Sequence, residues 1–395
     1  MRDEPKAGFA MSGGFPLAPL LFLAVIFFLN FTGRIILSPL LTSVESDLRL
    51  NHGQSGALFF TITLGYFVSI LGSGFVSAKI AHKGNIVVSS VCQGLCLVAL
   101  AFATSLWQVA LALLFVGLSA GLYLPSGIAA LTLATPPRHW GKALSVHELA
   151  PNLSFAAAPL MAGYLSLRFG WRGAFAFLGV LCILFGLAFQ LFSRVGGTKG
   201  SMPAPSALLA LLKSRHIHAM IALFSLGIAG TLGVYAMLPL FLEKARGIPV
   251  HRVNDLVAAS RVLPVFAALG SGFVADRLGS ARTMALALFF SGCGMLAVGA
   301  FSGWAMIAGV IVQPIFAVGF FPAGFAALAA VGDERSRGLA VSVTIPLAFL
   351  LGGGALPWLI GVLGEHGHFG LGFMGSGAAC CACALLLAPR PGGNG

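Results

Sequence analysis

The sequence predicts an all-α membrane protein in which twelve transmembrane helices form two pseudo-symmetric six-helix lobes. Three observations support this prediction. Of the 395 residues, 58% are hydrophobic and only 9% are charged, whereas a soluble protein carries about 25% charged residues. The apolar runs reach the roughly 20 residues that a helix needs to cross a bilayer. Short sequences of the first half recur in the second half at a nearly constant spacing, which indicates an internal repeat.

Twelve apolar segments are predicted to cross the membrane. They cover residues 17–41, 54–77, 85–104, 106–130, 142–167, 172–193, 217–243, 252–276, 282–302, 304–330, 337–363 and 369–388. The first 14 residues contain acidic as well as basic side chains, and the apolar segment after them is too long for the core of a secretory signal peptide. The first helix is therefore expected to be retained.

Lysine and arginine are distributed unevenly between the predicted loops, with about 15 on one side of the membrane and 6 on the other. Because cytoplasmic loops carry the excess of these residues, both termini and the central linker are expected in the cytoplasm of a multi-pass protein of the cell (inner) membrane. The net charge of +12 then belongs to loops that face anionic lipid headgroups. No basic stripe with interleaved aromatic residues favours a nucleic-acid partner.

A polar linker divides the predicted spans into two groups of six. It covers residues 194–216 and separates a lobe of residues 1–193 from a lobe of residues 217–395. The sequence GSGFV occurs at Gly72–Val76 and again at Gly270–Val274, 198 positions later. A second pair of segments has the same offset, so the two lobes are expected to share one helical arrangement.

The clearest repeated motif joins two helices of the second half. It reads GFVADRLGSAR from Gly272 onward and resembles the signature of the major facilitator superfamily. The copy in the first half has alanine where this motif has its aspartate and its second glycine. The resemblance covers essentially the whole chain. It implies a secondary transporter rather than an enzyme, with two lobes that give alternating access to a central site and a conformational gate that involves Gly272, Asp276, Arg277, Gly279 and Lys79.

Four ionisable side chains remain inside the predicted spans: Arg34, Arg261, Glu148 and His147. An acid or an arginine at the centre of a membrane helix costs at least roughly 2.5–3.5 kcal/mol, so such residues mark functional sites. A guanidinium group stays charged and presents a bidentate fork to carboxylate or phosphate. Arg34 and Arg261 are therefore predicted to contact substrate. The alternative for Arg34 is a structural pair with Glu148 or with helix carbonyls.

Two further resemblances concern these arginines. Arg34, with Asn30 one turn earlier, is similar to the first-helix pattern of the anion:cation symporter branch, although that pattern's aspartate is glycine here. An arginine at the position of Arg261 resembles the monocarboxylate and oxalate carriers. Both resemblances imply an arginine that engages an anionic substrate.

Glu148 and His147 are adjacent and correspond by the repeat to Pro346 and Ile345. The second lobe builds the same helix without them, so they are predicted to serve proton coupling rather than packing. Burial disfavours an ionised carboxyl group and a nearby arginine favours it, so Glu148 is expected to alternate between a protonated and an arginine-paired form. A permanent salt bridge, or a gate on the cytoplasmic side, is the alternative for Glu148, and a simple hydrogen bond is the alternative for His147.

The remaining polar candidates for the central cavity are aromatic or amide side chains. Each is as compatible with a helix–helix hydrogen bond as with substrate contact: Asn30, Tyr66, Tyr123, Tyr235 and Gln313. The seven cysteines fall inside predicted spans without metal-ligand spacing, so neither a metal nor a cofactor is expected.

Two functional hypotheses follow. The first is a proton-coupled carrier of a small organic anion, a carboxylate above all, because two intramembrane arginines face one acid. The second is a proton-driven exporter of amphipathic or cationic compounds, for which Glu148 is the single deep acid. A transporter-like sensor is disfavoured because both lobes persist and no large soluble domain is attached. The expected partners are the substrate, protons and lipid, and the expected oligomeric state is a monomer.

Overall fold

The structure is a computed structural model, and it describes residues 17–200, 213–329 and 334–387. Throughout these ranges the chain is helical, with connections of a few residues and no strand. The residues before Leu17 and residues 201–212 of the predicted linker lie outside the described ranges.

Six helices make up the first half and nine the second half of the described chain. Those of the first half are α1 (Leu17–Ile35), α2 (Leu37–Leu48), α3 (His52–Leu100), α4 (Leu106–Gly121), α5 (Tyr123–Ala134) and α6 (Trp140–Phe192). Those of the second half are α7 (Arg215–Ile228), α8 (Val234–Lys244), α9 (Val250–Ser260), α10 (Val262–Leu278), α11 (Ser280–Ala300), α12 (Gly303–Ala329), α13 (Glu334–Ala348), α14 (Leu356–Glu365) and α15 (Phe369–Leu387). Short π-helical turns join α7 to α8 and α13 to α14.

The helices combine into twelve crossings of the bilayer within the described residues. Nine segments are long and apolar enough to cross, and residues 250–278, which comprise α9 and α10, form one further span that bends by 49° at residue 269. Two of the nine are far longer than one crossing requires, and each is interrupted by a non-helical residue, Ala81 in α3 and Gly170 in α6. Each therefore folds back and crosses twice, which confirms the predicted all-α fold with twelve spans.

Large apolar side chains on the outer surface are consistent with a lipid environment. Trp107, Leu167, Trp304 and Leu386 are each at least 80% exposed. In water such a surface would be unfavourable, because burial of apolar area stabilises by about 25 cal/mol per Å². In a bilayer these side chains face acyl chains instead.

The predicted end of the first span is wrong by seven residues. The sequence placed it at residue 41, near the length of one bilayer crossing, but α2 continues to Leu48. The extension brings Glu45 and Asp47 into a helix that projects beyond the apolar core. Length arguments measure the hydrocarbon region alone, so they do not detect a helix that continues past it.

The turn between the second and third spans has the same backbone conformation in both halves. Gly279 ends α10 at φ 81°, and its counterpart Ala81, 198 positions earlier, lies at φ 61° and ψ 168°. This region is essentially restricted to glycine. The first half has therefore kept the turn after losing the glycine, and its backbone is strained there.

The two lobes pack tightly at one end of the molecule, which we call the sealed end. There α2 contacts α8, and the first turns of α3 contact α14. A Cβ atom added to Gly56 would lie 2.5 Å from the carbonyl oxygen of Pro357 and 2.9 Å from the Cα atom of Trp358. Glycine is thus what allows these two helices to approach at backbone distance.

Residues that follow α6 are attached to the turn around Ala81. The backbone N–H groups of His82 and Lys83 donate to the carbonyls of Thr198 (3.0 Å) and Gly196 (2.6 Å). The Lys83 ammonium group donates to the Ser193 carbonyl at 2.6 Å. The start of the predicted linker therefore packs on the first lobe, at the end opposite to the sealed end.

Candidate functional site

Two buried arginines lie where the lobes meet. Arg34 occupies the last turn of α1 and is 7% exposed, and Arg261 lies at the junction of α9 and α10 and is 3% exposed. Each lobe contributes one of them. The structure thus brings together the two arginines that the sequence singled out.

The Arg34 guanidinium group is surrounded by aromatic rings. Its carbon lies 4.6 Å from the centroid of Phe31, 4.3 Å from that of Tyr66 and 5.9 Å from that of Phe349. A cation within about 6 Å of an aromatic face is attracted by the ring quadrupole, and the attraction is strongest away from water. The rings stabilise the charge from the sides, and the Nε atom has no hydrogen-bond partner.

Arg261 has a similar environment and is connected to Arg34 through aromatic contacts. Its guanidinium carbon lies 5.1 Å from the Phe155 centroid and 5.0 Å from that of Tyr235. The Phe31 and Phe155 rings meet edge to face at 5.2 Å. The steps of 4.6, 5.2 and 5.1 Å from Arg34 through Phe31 and Phe155 to Arg261 place the two charges no more than about 15 Å apart.

Several polar atoms of this cluster lack a protein partner. The Nε atoms of Arg34 and Arg261 and the hydroxyl of Tyr235 are buried without a hydrogen bond. In the described part of the chain, neither arginine forms an ion pair with an acid. A buried polar group without a partner costs about 1–3 kcal/mol, and more when it is charged. The cluster is therefore electropositive and unsatisfied.

A small cavity lies beside this cluster. Its volume is about 20 Å³, enough for roughly one water molecule, and its walls include Arg34, Thr63, Tyr66, Leu232 and Tyr235. Both lobes contribute to the walls. An organic molecule needs several hundred Å³, so the lobes must separate here before a substrate of that size can bind.

Glu148 and His147 lie on α6, away from the arginines. Glu148 is seven residues before Phe155, which places it two turns away on the same helix face, about 10 Å toward the end opposite to the sealed end. Its side chain is 54% exposed, and its Oε1 atom lies 3.3 Å from Nδ1 of His147. In this conformation, therefore, the partner of Glu148 is His147, and the predicted pairing with an arginine is not made.

His147 is fully buried and contacts two residues besides Glu148. Its ring stacks on Phe27 with centroids 4.4 Å apart, and its Nε2 atom lies 3.0 Å from the Tyr123 hydroxyl. That hydroxyl also contacts the Leu23 carbonyl oxygen at 2.7 Å. Tyr123, predicted from sequence as a cavity residue, thus belongs to the His147 cluster.

Asn30 and Gln313 lie within their own lobes. The Asn30 amide donates to Gln93 at 3.0 Å, and Gln93 donates back to the Asn30 carbonyl at 2.8 Å. Gln313 donates to the Gly230 carbonyl at 2.8 Å and to Ser291 at 2.9 Å. Both are buried, and the structure favours the helix–helix hydrogen bond that was the alternative for each.

The residues of the signature motifs lie at the end opposite to the sealed end. Gly279 supplies the positive φ between α10 and α11, and Gly272 lies two turns earlier in α10. Asp276, Arg277 and Lys79 are exposed. The structure therefore explains one member of the motif through backbone geometry, and the gating role of the charged members stays a prediction.

A polar cluster that no sequence pattern indicated links the lobes at the sealed end. Glu45 is buried and accepts hydrogen bonds from Ser55 at 2.7 Å and from the His52 ring at 3.0 Å. The backbone N–H of His52, at the start of α3, donates to Glu365 of the second lobe at 2.8 Å. A carboxylate of one lobe thus occupies the helix N-terminus of the other, where a negative charge is favourable.

Comparison with known proteins gives one family match and several relatives. The profile of the Major Facilitator Superfamily matches residues 23–273. The cis,cis-muconate transport protein of Acinetobacter baylyi is 23% identical over 373 residues, which are 89% of each chain. A probable sulfoacetate transporter, SauU, of Cupriavidus necator is 22% identical and covers 45% of this chain and 42% of that protein.

The purine ribonucleoside efflux pump NepI of Escherichia coli is 29% identical over 150 residues, and the match spans 36% of this chain and 37% of NepI. Among solved structures, a D-xylose–proton symporter superposes with a TM-score of 0.77 at 15% identity, over 95% of this chain and 98% of the other. An inward-facing, occupied bacterial homolog of the human lysosomal transporter Spinster gives 0.77 at 17% identity, over 96% of both chains. At these identities the superpositions show a shared fold.

Proposed function

The chain belongs to the Major Facilitator Superfamily, a family of membrane transporters, and we propose that it moves a small organic anion across the membrane by alternating access, coupled to protons. The proposal includes lobes of residues 1–193 and 217–395, joined by the linker 194–216. It also includes an inner-membrane location with both termini in the cytoplasm, so that the sealed end faces outward.

The observation that carries the anion proposal is the pair of buried arginines, neither of which has an acidic partner among the residues that the structure describes. An ion pair with Asp or Glu would have neutralised each charge, as expected for a purely structural role. Instead, Arg34 and Arg261 rest on aromatic faces and keep unbonded Nε atoms. A carboxylate, with two oxygens in one plane, matches the geometry of a guanidinium edge.

The aromatic residues between the arginines support a substrate with an apolar body. Phe31, Phe155 and Tyr235 form a continuous set of ring contacts from one guanidinium group toward the other. Muconate and sulfoacetate, named in two relatives, are both organic anions, which supports the same substrate class here.

A cation would be a poor cargo for this site. It would enter a region that already holds two positive charges, and like charges at such separations repel strongly in a medium of low polarity. The exporter hypothesis would need an acidic cavity. Glu148, the acid that the sequence offers to this hypothesis, lies about 10 Å from the aromatic cluster along its helix.

The substrate proposal is tested by uptake and counterflow in proteoliposomes with a panel of mono- and dicarboxylates. Arg34→Gln and Arg261→Gln should each lower anion transport by about tenfold or more, because each removes a charge-assisted hydrogen bond of about 1.5–3 kcal/mol. Arg168→Gln is the matched control, since Arg168 is exposed and stacks on Tyr164. Full anion transport by both central variants would refute the proposal.

Proton coupling is tested separately with Glu148→Gln. The variant should lose uptake driven by a pH gradient, while counterflow, which needs no net proton movement, should fall far less. If both arginine variants transport normally and Glu148→Gln stops the efflux of a cationic dye, the exporter hypothesis is correct instead.

A further inference from the structure

Three polar side chains form a line on the first lobe. They are Tyr123 of α5 and His147 and Glu148 of α6, and the line ends at the Leu23 carbonyl of α1. The contact distances are 2.7 Å from Leu23 to Tyr123, 3.0 Å from Tyr123 to His147 and 3.3 Å from His147 to Glu148. The positions of the hydrogens follow from the chemistry of these groups.

The Tyr123 hydroxyl has a single proton to donate. A carbonyl oxygen cannot donate, so an oxygen–oxygen distance of 2.7 Å between Tyr123 and Leu23 requires the hydroxyl to donate to Leu23. The hydroxyl must then accept from His147, which means that Nε2 carries a hydrogen. The hydrogen bond from Nε2 to Tyr123 therefore fixes the tautomer of a neutral His147, with hydrogen on Nε2 and none on Nδ1.

A neutral imidazole has one N–H, so the Nδ1 atom of a neutral His147 is an acceptor. It faces Oε1 of Glu148, which is also an acceptor when ionised. Without a proton between them, two lone pairs repel at 3.3 Å. With one proton the contact is a hydrogen bond, whether the form is an imidazolium with a carboxylate or a neutral imidazole with a carboxylic acid.

We propose that His147 and Glu148 bind the transported proton jointly, between Nδ1 and Oε1, and that Tyr123 is the positioning residue that holds His147 in the tautomer this requires. The inference rests on the proton coupling in the proposed function and assigns its proton to two named atoms. The pair gains one proton on binding and loses the same proton on release, so the step needs no other reactant.

The surroundings are suited to this role. His147 is fully buried against Phe27, whereas Glu148 is half-exposed, so the proton exchanges with water through Glu148. The other titratable groups that face the pair are Tyr123 of α5 and Tyr66 of α3. On α1, Arg34 lies seven residues after Phe27, about 10 Å farther along the helix, and is the nearest positive charge on that element.

The test uses Tyr123→Phe, with Tyr164→Phe as the matched control. Tyr164 lies on the same helix as His147, is exposed and contacts Arg168. Nitrogen-15 NMR of histidine-labelled full-length protein in lipid reports the tautomer, and the signal of His147 is the one absent from His147→Gln. Wild type and Tyr164→Phe should show hydrogen on Nε2, and Tyr123→Phe should show a mixture of both tautomers.

Transport provides the second measurement. In Tyr123→Phe, proton-driven uptake should fall about tenfold at the wild-type midpoint pH, because one hydrogen bond to the charged form is lost. The pH profile should move to lower pH, and counterflow should fall less than uptake. A wild-type His147 with hydrogen on Nδ1 and none on Nε2, or an unchanged tautomer and pH profile in Tyr123→Phe, would overturn the inference while leaving the proton coupling of the proposed function intact. Wild-type uptake that does not depend on the pH gradient would overturn both this inference and the proton coupling of the proposed function.

Discussion

A methyl group at Gly56 should shift the protein away from the conformation described here. Gly56 lies in α3 against α14 of the other lobe, and the atoms that a new Cβ would meet belong to the backbone of Pro357 and Trp358. Backbone atoms cannot rotate away as a side chain can, so the two helices must separate. Gly56→Ala therefore penalises the sealed conformation and leaves a conformation with separated lobes unaffected.

The magnitude follows from overpacking, which costs about 1–3 kcal/mol in a well-packed core. Applied to one of two conformations, this penalty changes their ratio by about 5- to 150-fold. The matched control is Gly72→Ala in the same helix, because a Cβ atom at Gly72 meets no atom within 4 Å. That change should leave the ratio as it is.

The ratio is measured with a single reporter cysteine at Ala236. This residue is buried beneath the sealed end and lines the central cavity, and the seven native cysteines are replaced beforehand. A membrane-impermeant thiol reagent, added on the sealed side, should react about 5- to 150-fold faster in Gly56→Ala than in the parent. An unchanged rate, or an equal increase in Gly72→Ala, would refute the packing argument.

Three further predictions concern other parts of the molecule. Ala81→Gly should raise the thermal stability of the purified protein, because it relieves about 1–3 kcal/mol of backbone strain against an entropic penalty of about 0.5–1 kcal/mol for glycine. Gly279→Ala should lower the thermal stability. A lower stability of Ala81→Gly together with a higher stability of Gly279→Ala would mean that the turn is not strained. Glu365→Gln should weaken the hydrogen bond to the His52 backbone by about 1 kcal/mol and speed labelling of the Ala236 reporter about fivefold, whereas equal labelling would show that this bond does not hold the sealed end. Asn30→Leu should lower the melting temperature, since it removes the amide that donates to Oε1 of Gln93 and leaves that buried oxygen without a donor at a cost of about 1–3 kcal/mol. Loss of anion binding at unchanged stability would instead return Asn30 to the substrate site.

The membrane made much of this fold predictable from sequence. A bilayer imposes a fixed length on each helix, and a charge inside it is rare enough to identify a site. That is why Arg34 and Arg261 could be selected without coordinates. The repeat offset of 198 residues aligns Ala81 with Gly279, and the structure shows both in one backbone conformation.

Contacts between lobes were less accessible to sequence reasoning. Nothing in the sequence distinguishes Phe31 and Phe155 from the rest of the 33 phenylalanines, yet these two rings connect the arginines. Glu45, His52 and Glu365 lie where polar residues are ordinary, at helix ends, and their cluster exists because two distant segments meet. Tyr123 was grouped with cavity residues because a tyrosine in a membrane helix indicates a polar contact, and the sequence does not show which residue its hydroxyl contacts.

The separation of the two positive charges depends on how the halves of the molecule are turned toward one another. Arg34 belongs to α1 of the first lobe, and Arg261 lies at the junction of α9 and α10 in the second lobe. Any rocking of one lobe against the other therefore changes the distance between the two guanidinium groups. Under the proposed function, a substrate long enough to contact both arginines is bound only over a limited range of lobe angles, while a shorter one contacts a single arginine. Selection among substrates by their length can in this way arise from the motion of the lobes, without a rigid binding site complementary to one substrate.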